Sequence, residues 1–133
     1  LVANNIPVVG HTGLTPQTAT NFKKVGQSAE DAQTVSEEAK AIQEAGAFML
    51  VLEHIPSSLG ESITQEISIP TIGIGAGADC DGQVLVINDV LGLGNRWPPF
   101  SKQYAHCSQT IFDAANEFAT EVKTNVFPNN LSK

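Results

Sequence analysis

Positive charge, cysteine and long apolar runs are all scarce in this chain. Of 133 residues only 7 are Lys or Arg, against 14 Asp or Glu, which leaves a formal charge of −7. That balance argues against a surface for nucleic acid or for an anionic membrane. No run approaches the ~20 apolar residues of a membrane helix. The two cysteines, Cys80 and Cys107, are too few for a disulfide framework and lack C-x-x-C spacing, so a reducing cytoplasm is the expected compartment. Internal repeats, linkers and low-complexity tracts are absent too. Hydrophobic residues at 41% and charged residues at 16% exclude long disordered tails. The length suits one domain with a real core, and residues 1–133 are read as a single domain. The chain opens on Leu1 instead of Met, with no signal-peptide pattern after it. Leu1–Asn5 reads as the tail of something begun earlier, so a piece of a larger enzyme is expected.

What is present alternates in type. Ile6-Pro7-Val8-Val9, closed by Gly10, predicts a buried strand, with Pro7 tolerable only at its start or at a bulge. Ser28 to Asp31 has capping-box spacing, and Ala32, Val35, Ala39, Ile42 and Ala45 then recur along one helix face, with Gly46 as the stop. Ala47–Leu52 predicts a second strand running into Glu53. Pro56 opens a second helix, with Ser58 and Glu61 at capping-box spacing. Ile69–Ile74 predicts a third strand that ends in Gly75-Ala76-Gly77. Val84–Ile87 is a short strand or a distorted turn, too close to Ile74 for a helical crossover, leading to a helical turn at Asp89–Leu91. Ser108–Val122 predicts a last helix, with Ile111, Phe112, Ala115, Phe118, Ala119 and Val122 on its apolar face. Strands alternating with helices give an α/β fold of parallel βα units. The three clear strands show no polar alternation, as expected when both sheet faces are covered. A full (β/α) barrel takes about 250 residues, so this is either a small open α/β domain or half of such a barrel.

In parallel α/β folds the chemistry gathers at the carboxyl ends of the strands. Glu53, directly after an apolar strand, sits where partial desolvation raises a carboxylate pKa toward that of a useful base; the alternative is a solvated or capping acid. His11, between Gly10 and Gly13, is either a donor to an anionic or carbonyl substrate, with the glycines letting backbone approach a ligand, or a histidine bonded to a neighbouring carbonyl. His54 follows Glu53 and should point the other way in extended chain, and His54 and His106 each read as structural or exposed. Gly73-x-Gly75-x-Gly77 is a weak phosphate-loop signal, or a turn keeping space open for a substrate. Asp79, Asp81 and Asp89 fit capping and turns better than a metal. Cys80 and Cys107 read as ordinary thiols, and Trp97–Phe100 as a packed connection.

Four blocks in order now carry a resemblance over nearly the whole chain. They are Pro7–Gln17, Glu44–Ala47 leading to Val51-Leu52-Glu53, Ile69–Gly77, and Asp81–Val86 followed by Asp89 and Leu91-Gly92. The chain resembles the C-terminal half of ketopantoate hydroxymethyltransferase. The resemblance implies a (β/α)8 barrel of TIM type, assembled as a homo-oligomer and acting on small molecules. It implies transfer of a hydroxymethyl group from 5,10-methylenetetrahydrofolate to 3-methyl-2-oxobutanoate, giving 2-dehydropantoate on the route to pantothenate and coenzyme A. It also implies Mg²⁺ on the keto acid, a Lewis-acid role. Glu53 matches the family's general base, His11 a histidine of its substrate pocket, and Ile74, Val84 and Val86 apolar pocket positions. The family's metal-binding acids and anchoring lysine come from earlier strands that this chain does not contain, so no metal ligand is assigned here. Asn21–Gln27 stands where the family has a longer glycine-rich stretch, and Asn88 where it often has a histidine. Two rivals stay open: a non-catalytic half-barrel that pairs with another chain through its open edges, and a carbon–carbon lyase acting on a small 2-oxo acid without folate.

Overall fold

The computed structural model describes residues 1–128, which form two compact units, Leu1–Leu85 and a second from Val86 on. The first unit is built on a parallel sheet: β1 (Val9–Gly13), β2 (Met49–Glu53), β3 (Thr71–Ile74) and β4 (Gly82–Gln83), adjacent in that order. Helices α1 (Ala29–Glu44) and α2 (Ser57–Glu66) make the first two connections. Parallel strands that stay in chain order wind as a (β/α) barrel does, whereas doubly wound sheets reverse direction partway. The expected α/β class holds, and four strands in this order are what half of an eight-stranded barrel supplies.

The helix signals are realised with small shifts. The Asp31 N–H donates to Ser28 Oγ at 3.1 Å, and Glu30 and Asp31 complement the positive end of α1. The Ser58–Glu61 capping box does not form: α2 starts at Ser57 after Pro56, and no side chain caps it. Pro56 already enters with a fixed φ, so the helix needs no hydroxyl to begin. The strands sit later than their apolar runs. β1 is Val9–Gly13 because pairing starts only where the Phe48 N–H reaches Val8 O, at 3.0 Å; Ile6 ahead of it is half exposed. β4 is Gly82–Gln83, ahead of the apolar Val84–Ile87, whose last residue instead begins a helix. Its parallel pairing without a helical crossover is possible because Gly82 aligns with Ile72 and Gln83 with Gly73. The loop after Ile74 therefore retraces only two residues of strand, about 7 Å.

The two faces of the sheet differ. Gly10, Thr12, Leu50 and Leu52 point to the helices, where Leu50 and Leu52 join Val35, Ala39, Ile55, Leu59 and Ile63 in the buried core. Each fully buried aliphatic side chain there contributes about 1.5–3 kcal/mol. A methyl group on Gly10 would collide with Ile42 of α1, and the Thr12 hydroxyl donates to Glu38 of the same helix, so β1 and α1 are in intimate contact. The opposite face, carrying Val9, His11, Met49, Val51, Glu53, Ile72 and Ile74, is covered by neither helix. Burial alternates along β2 and β3, which corrects the expectation of two covered faces. The strands are apolar on both sides because the second face is built for a second core that this unit does not supply.

In the second unit α3 (Ile87–Leu91) ends at Gly92, and Val90 O accepts the Tyr104 N–H at 2.8 Å. The long helix α4 (Cys107–Lys123) has the predicted apolar face, but none of its residues is buried. Ile111, Phe112, Phe118 and Val122 are all exposed, and Phe118 meets Phe127 edge-on at 5.3 Å. No helix among the described residues is long and apolar enough to cross a membrane.

Candidate active site

Strand alternation builds the site. β1 and β2 are in register with Gly13 opposite Glu53 and His11 opposite Val51, and β3 places Ile74 beside Glu53. Side chains two apart on one strand share a face, so His11, Glu53 and Ile74 meet on the uncovered side near the carboxyl ends. His11 Nε2 lies 3.1 Å from Glu53 Oε2, with 29% and 15% of the two side chains exposed. Nε2 is buried, and Glu53 is the polar side chain that it faces. Burial pushes the Glu53 carboxyl above its usual 4.5, and the adjacent imidazole offsets part of that rise. A carboxyl whose pKa is raised by burial, beside a ring nitrogen, can remove or return a proton.

The backbone around Glu53 is tied on both sides. Its carbonyl accepts the Leu14 N–H at 2.8 Å, and the next amide, of His54, donates to Ile74 O at 2.8 Å. Gly13 has φ +92, a left-handed conformation natural to glycine, and a side chain there would strike Glu53 O. The glycines flanking His11 thus bring β1 against α1 and β2. This corrects the expectation that they let backbone approach a ligand, and His11 lies inside β1, not after it.

Val84 follows β4, gives its N–H to Gly73 O at 3.0 Å, and is half exposed. Val86 belongs to the second unit as the residue before α3 and is also half exposed. In the Gly73–Gly77 run, Gly73 and Gly77 are closely packed, whereas Gly75, with φ +67, faces open space. A side chain at Gly73 would come within about 3 Å of Cys80 Sγ and the Gln83 amide, Gln83 donates to Gly77 O at 2.9 Å, and Gly77 abuts Ser57. Asp81 is a strut: its Oδ2 accepts the Thr71 N–H at 2.8 Å and the Thr71 hydroxyl at 3.1 Å, joining the starts of β3 and β4. His106 caps α4 without a side-chain bond. Cys80 and Cys107 are unpaired thiols. Among the described residues no group of three or more His, Cys, Asp or Glu is placed to hold a metal ion. An apolar cleft of about 470 Å³, lined by residues such as Val2, Val8, Ile42 and Ala47, lies near the amino ends of β1 and β2 and contains no titratable side chain.

Sequence reasoning passed over the conformation of His54. The residue is buried, at 5% exposure, and turns with φ +50 where extended chain was expected. Burial, then the nearby Lys24 ammonium, pushes its imidazole below the usual 6.5. Nothing in the spacing signals this, although histidine tolerates the left-handed region better than most residues.

The geometry can be set beside known proteins. The sequence profile described as Ketopantoate hydroxymethyltransferase matches residues 1–130. A protein named 3-methyl-2-oxobutanoate hydroxymethyltransferase from Cyanothece sp. is 53% identical over 131 residues, covering 96% of this chain and 50% of its own length. Proteins of the same name from Rippkaea orientalis and Pelobacter propionicus are 51% and 54% identical, over 96% and 93% of this chain and 51% and 47% of theirs. The chain spans about half the length of the curated relatives it matches. A match to the profile along almost all of its residues, joined to identities near one half, makes this chain a member of the ketopantoate hydroxymethyltransferase family.

Proposed function

We propose that this chain is the C-terminal half of a (β/α)8-barrel transferase that moves a hydroxymethyl group from 5,10-methylenetetrahydrofolate to 3-methyl-2-oxobutanoate, giving 2-dehydropantoate. The observation that carries the reading is the half-buried Glu53 carboxyl, raised in pKa and 3.1 Å from His11, at a strand end of the uncovered sheet face. Glu53 acts as the general base and takes the proton from C3 of the keto acid. The resulting carbon nucleophile attacks the folate-borne methylene. The carbon–carbon bond forms as one of the two folate C–N bonds breaks, the second breaks as water supplies the hydroxyl, and the two nitrogens take up the proton from C3 and one from the water. His11, beside Glu53, offers its imidazole to a substrate oxygen. Ile74, beside Glu53, and Val84 offer apolar contact to the branched carbon skeleton.

The resemblance also implies Mg²⁺, and the described residues do not fit it. No donor cluster is present, and Glu53, the one acid at the site, faces a histidine. Ligands for the ion would come from outside this chain, and no step here runs through it. Two unpaired thiols suit a reducing cytoplasm. The exposed apolar face of α4 suits assembly into a homo-oligomer.

The test joins this chain to the other half of a relative and assays 2-dehydropantoate. Glu53→Gln should lower turnover by about 10²–10⁴-fold while the keto acid still binds. Near-normal turnover removes Glu53 from the role, and product formation without folate favours the lyase.

A further inference from the structure

We infer that His54 is a positioning residue for Glu53: its left-handed backbone clasps the loop after β1 to the end of β2 and so fixes where the Glu53 carboxylate points. The inference rests on the proposed role of Glu53 for its functional meaning, but its geometry stands independently. The peptide between Glu53 and His54 is held at both ends, with its carbonyl accepting the Leu14 N–H from the end of β1 and its N–H donating to Ile74 O at the end of β3. That is still ordinary parallel pairing. At His54 the chain leaves it. With φ +50 the carbonyl of His54 turns out of the ladder and accepts the Val25 N–H at 3.0 Å.

Val25 belongs to the segment between β1 and α1, and it packs against the buried core. The turn therefore ties a loop over the last residue of β2. His54 itself is buried beneath that connection, at 5% exposure. A non-glycine residue in the left-handed region carries backbone strain, which persists only where surrounding bonds hold it. Here those bonds converge on the residue next to the carboxylate. Without the turn, β2 would run on in extended form, the loop would lose its anchor, and water would reach Glu53. The imidazole is not required for this; the backbone conformation is. Glycine and asparagine adopt it readily, whereas alanine and valine resist it.

The experiment is a carboxyl NMR titration of Glu53 in the 133-residue chain, with thermal unfolding recorded alongside. His54→Gly and His54→Asn should leave the Glu53 midpoint where it is in the parent chain. His54→Ala and His54→Val should move it down toward the ordinary glutamate value, as the carboxylate swings into water. Val25→Pro, which deletes the donor to His54 O and leaves residue 54 unchanged, should do the same. That variant decides the matter if the Ala and Val chains do not fold. An unchanged or raised midpoint in Val25→Pro overturns the inference, as does a downward shift in His54→Gly equal to that in His54→Ala, which would assign the effect to the imidazole. Activity of the completed enzyme is read separately. A shifted midpoint with unaltered turnover would leave His54 a positioning residue and remove Glu53 as the base.

Discussion

His11 and Glu53 touch diagonally across two parallel strands. Nε2 and Oε2 are 3.1 Å apart, although His11 is aligned with Val51 and Glu53 with Gly13. The contact spans one pleat repeat, so it depends on the relative set of β1 and β2 and not on either residue alone. Both side chains are held on a face that the helices leave uncovered, where a substrate can reach them.

A partly buried carboxyl with a raised pKa weakens the fold once it ionises. The raised folded value means that its contribution to stability is present below the usual 4.5 and is lost as pH rises through the folded value. Glu53→Gln keeps the shape without the charge. Its Tm should therefore exceed that of the parent chain at neutral pH, with the gap closing toward pH 4.5. Thermal unfolding of both chains across that range checks it, and equal Tm values at neutral pH would place the carboxylate in water.

His11 offsets part of the rise in Glu53, so removing the imidazole has a definite sign. His11→Asn should push the Glu53 midpoint further up. With Glu53 as the proposed base, active only when ionised, the acidic limb of the pH–rate profile of the completed enzyme should move to higher pH. A limb that stays in place would mean that a group other than Glu53 titrates there.

Gly10 is where β1 meets α1 most closely, and a methyl group there would collide with Ile42 Cγ2. Gly10→Ala should destabilise the chain by about 1–3 kcal/mol in urea unfolding, the usual cost of overpacking. Adding Ile42→Leu, which removes the Cγ2 branch, should recover part of that loss, and strict additivity of the two changes would refute the contact.

Asp81 joins the starts of β3 and β4 through Thr71. Asp81→Ala strips the Thr71 N–H of its acceptor near the sheet's amino end. A loss of about 1–3 kcal/mol is expected from an orphaned amide. Asp81→Asn, which keeps one acceptor oxygen, should lose less. Equal losses in the two variants would mean that the carboxylate charge matters more than the acceptor.

These sites show how far the sequence could be read. Helix α1 was legible because its start rests on local chemistry, Ser28 accepting the Asp31 N–H, and its face on a simple period. β1 was misplaced because Gly10-His11-Thr12-Gly13 has little strand character of its own and is extended only because β2 pairs with it. β4 was ambiguous for the same reason: a two-residue strand carries almost no local signal. Glu53 could be found from its place after an apolar run. Its contact with His11 needed the register of two strands, and the turn at His54 needed hydrogen bonds from Leu14, Val25 and Ile74.

The uncovered sheet face yields the last prediction. Val9 lies on that face and is 47% exposed here, although its neighbours on the strand suit a buried position. If four further βα units complete the barrel, Val9 moves from a half-wet surface into an apolar interior. Val9→Ser should then change the stability of the 133-residue chain by no more than about 0.5 kcal/mol. In a chain extended to the relatives' length the same change should cost about 1–3 kcal/mol, the penalty for burying a hydroxyl where an aliphatic group fitted. Urea unfolding of the two pairs of proteins measures both numbers. An equal effect in the short and long chains would mean that the added half does not close over this face, and the half-barrel reading would fail with it.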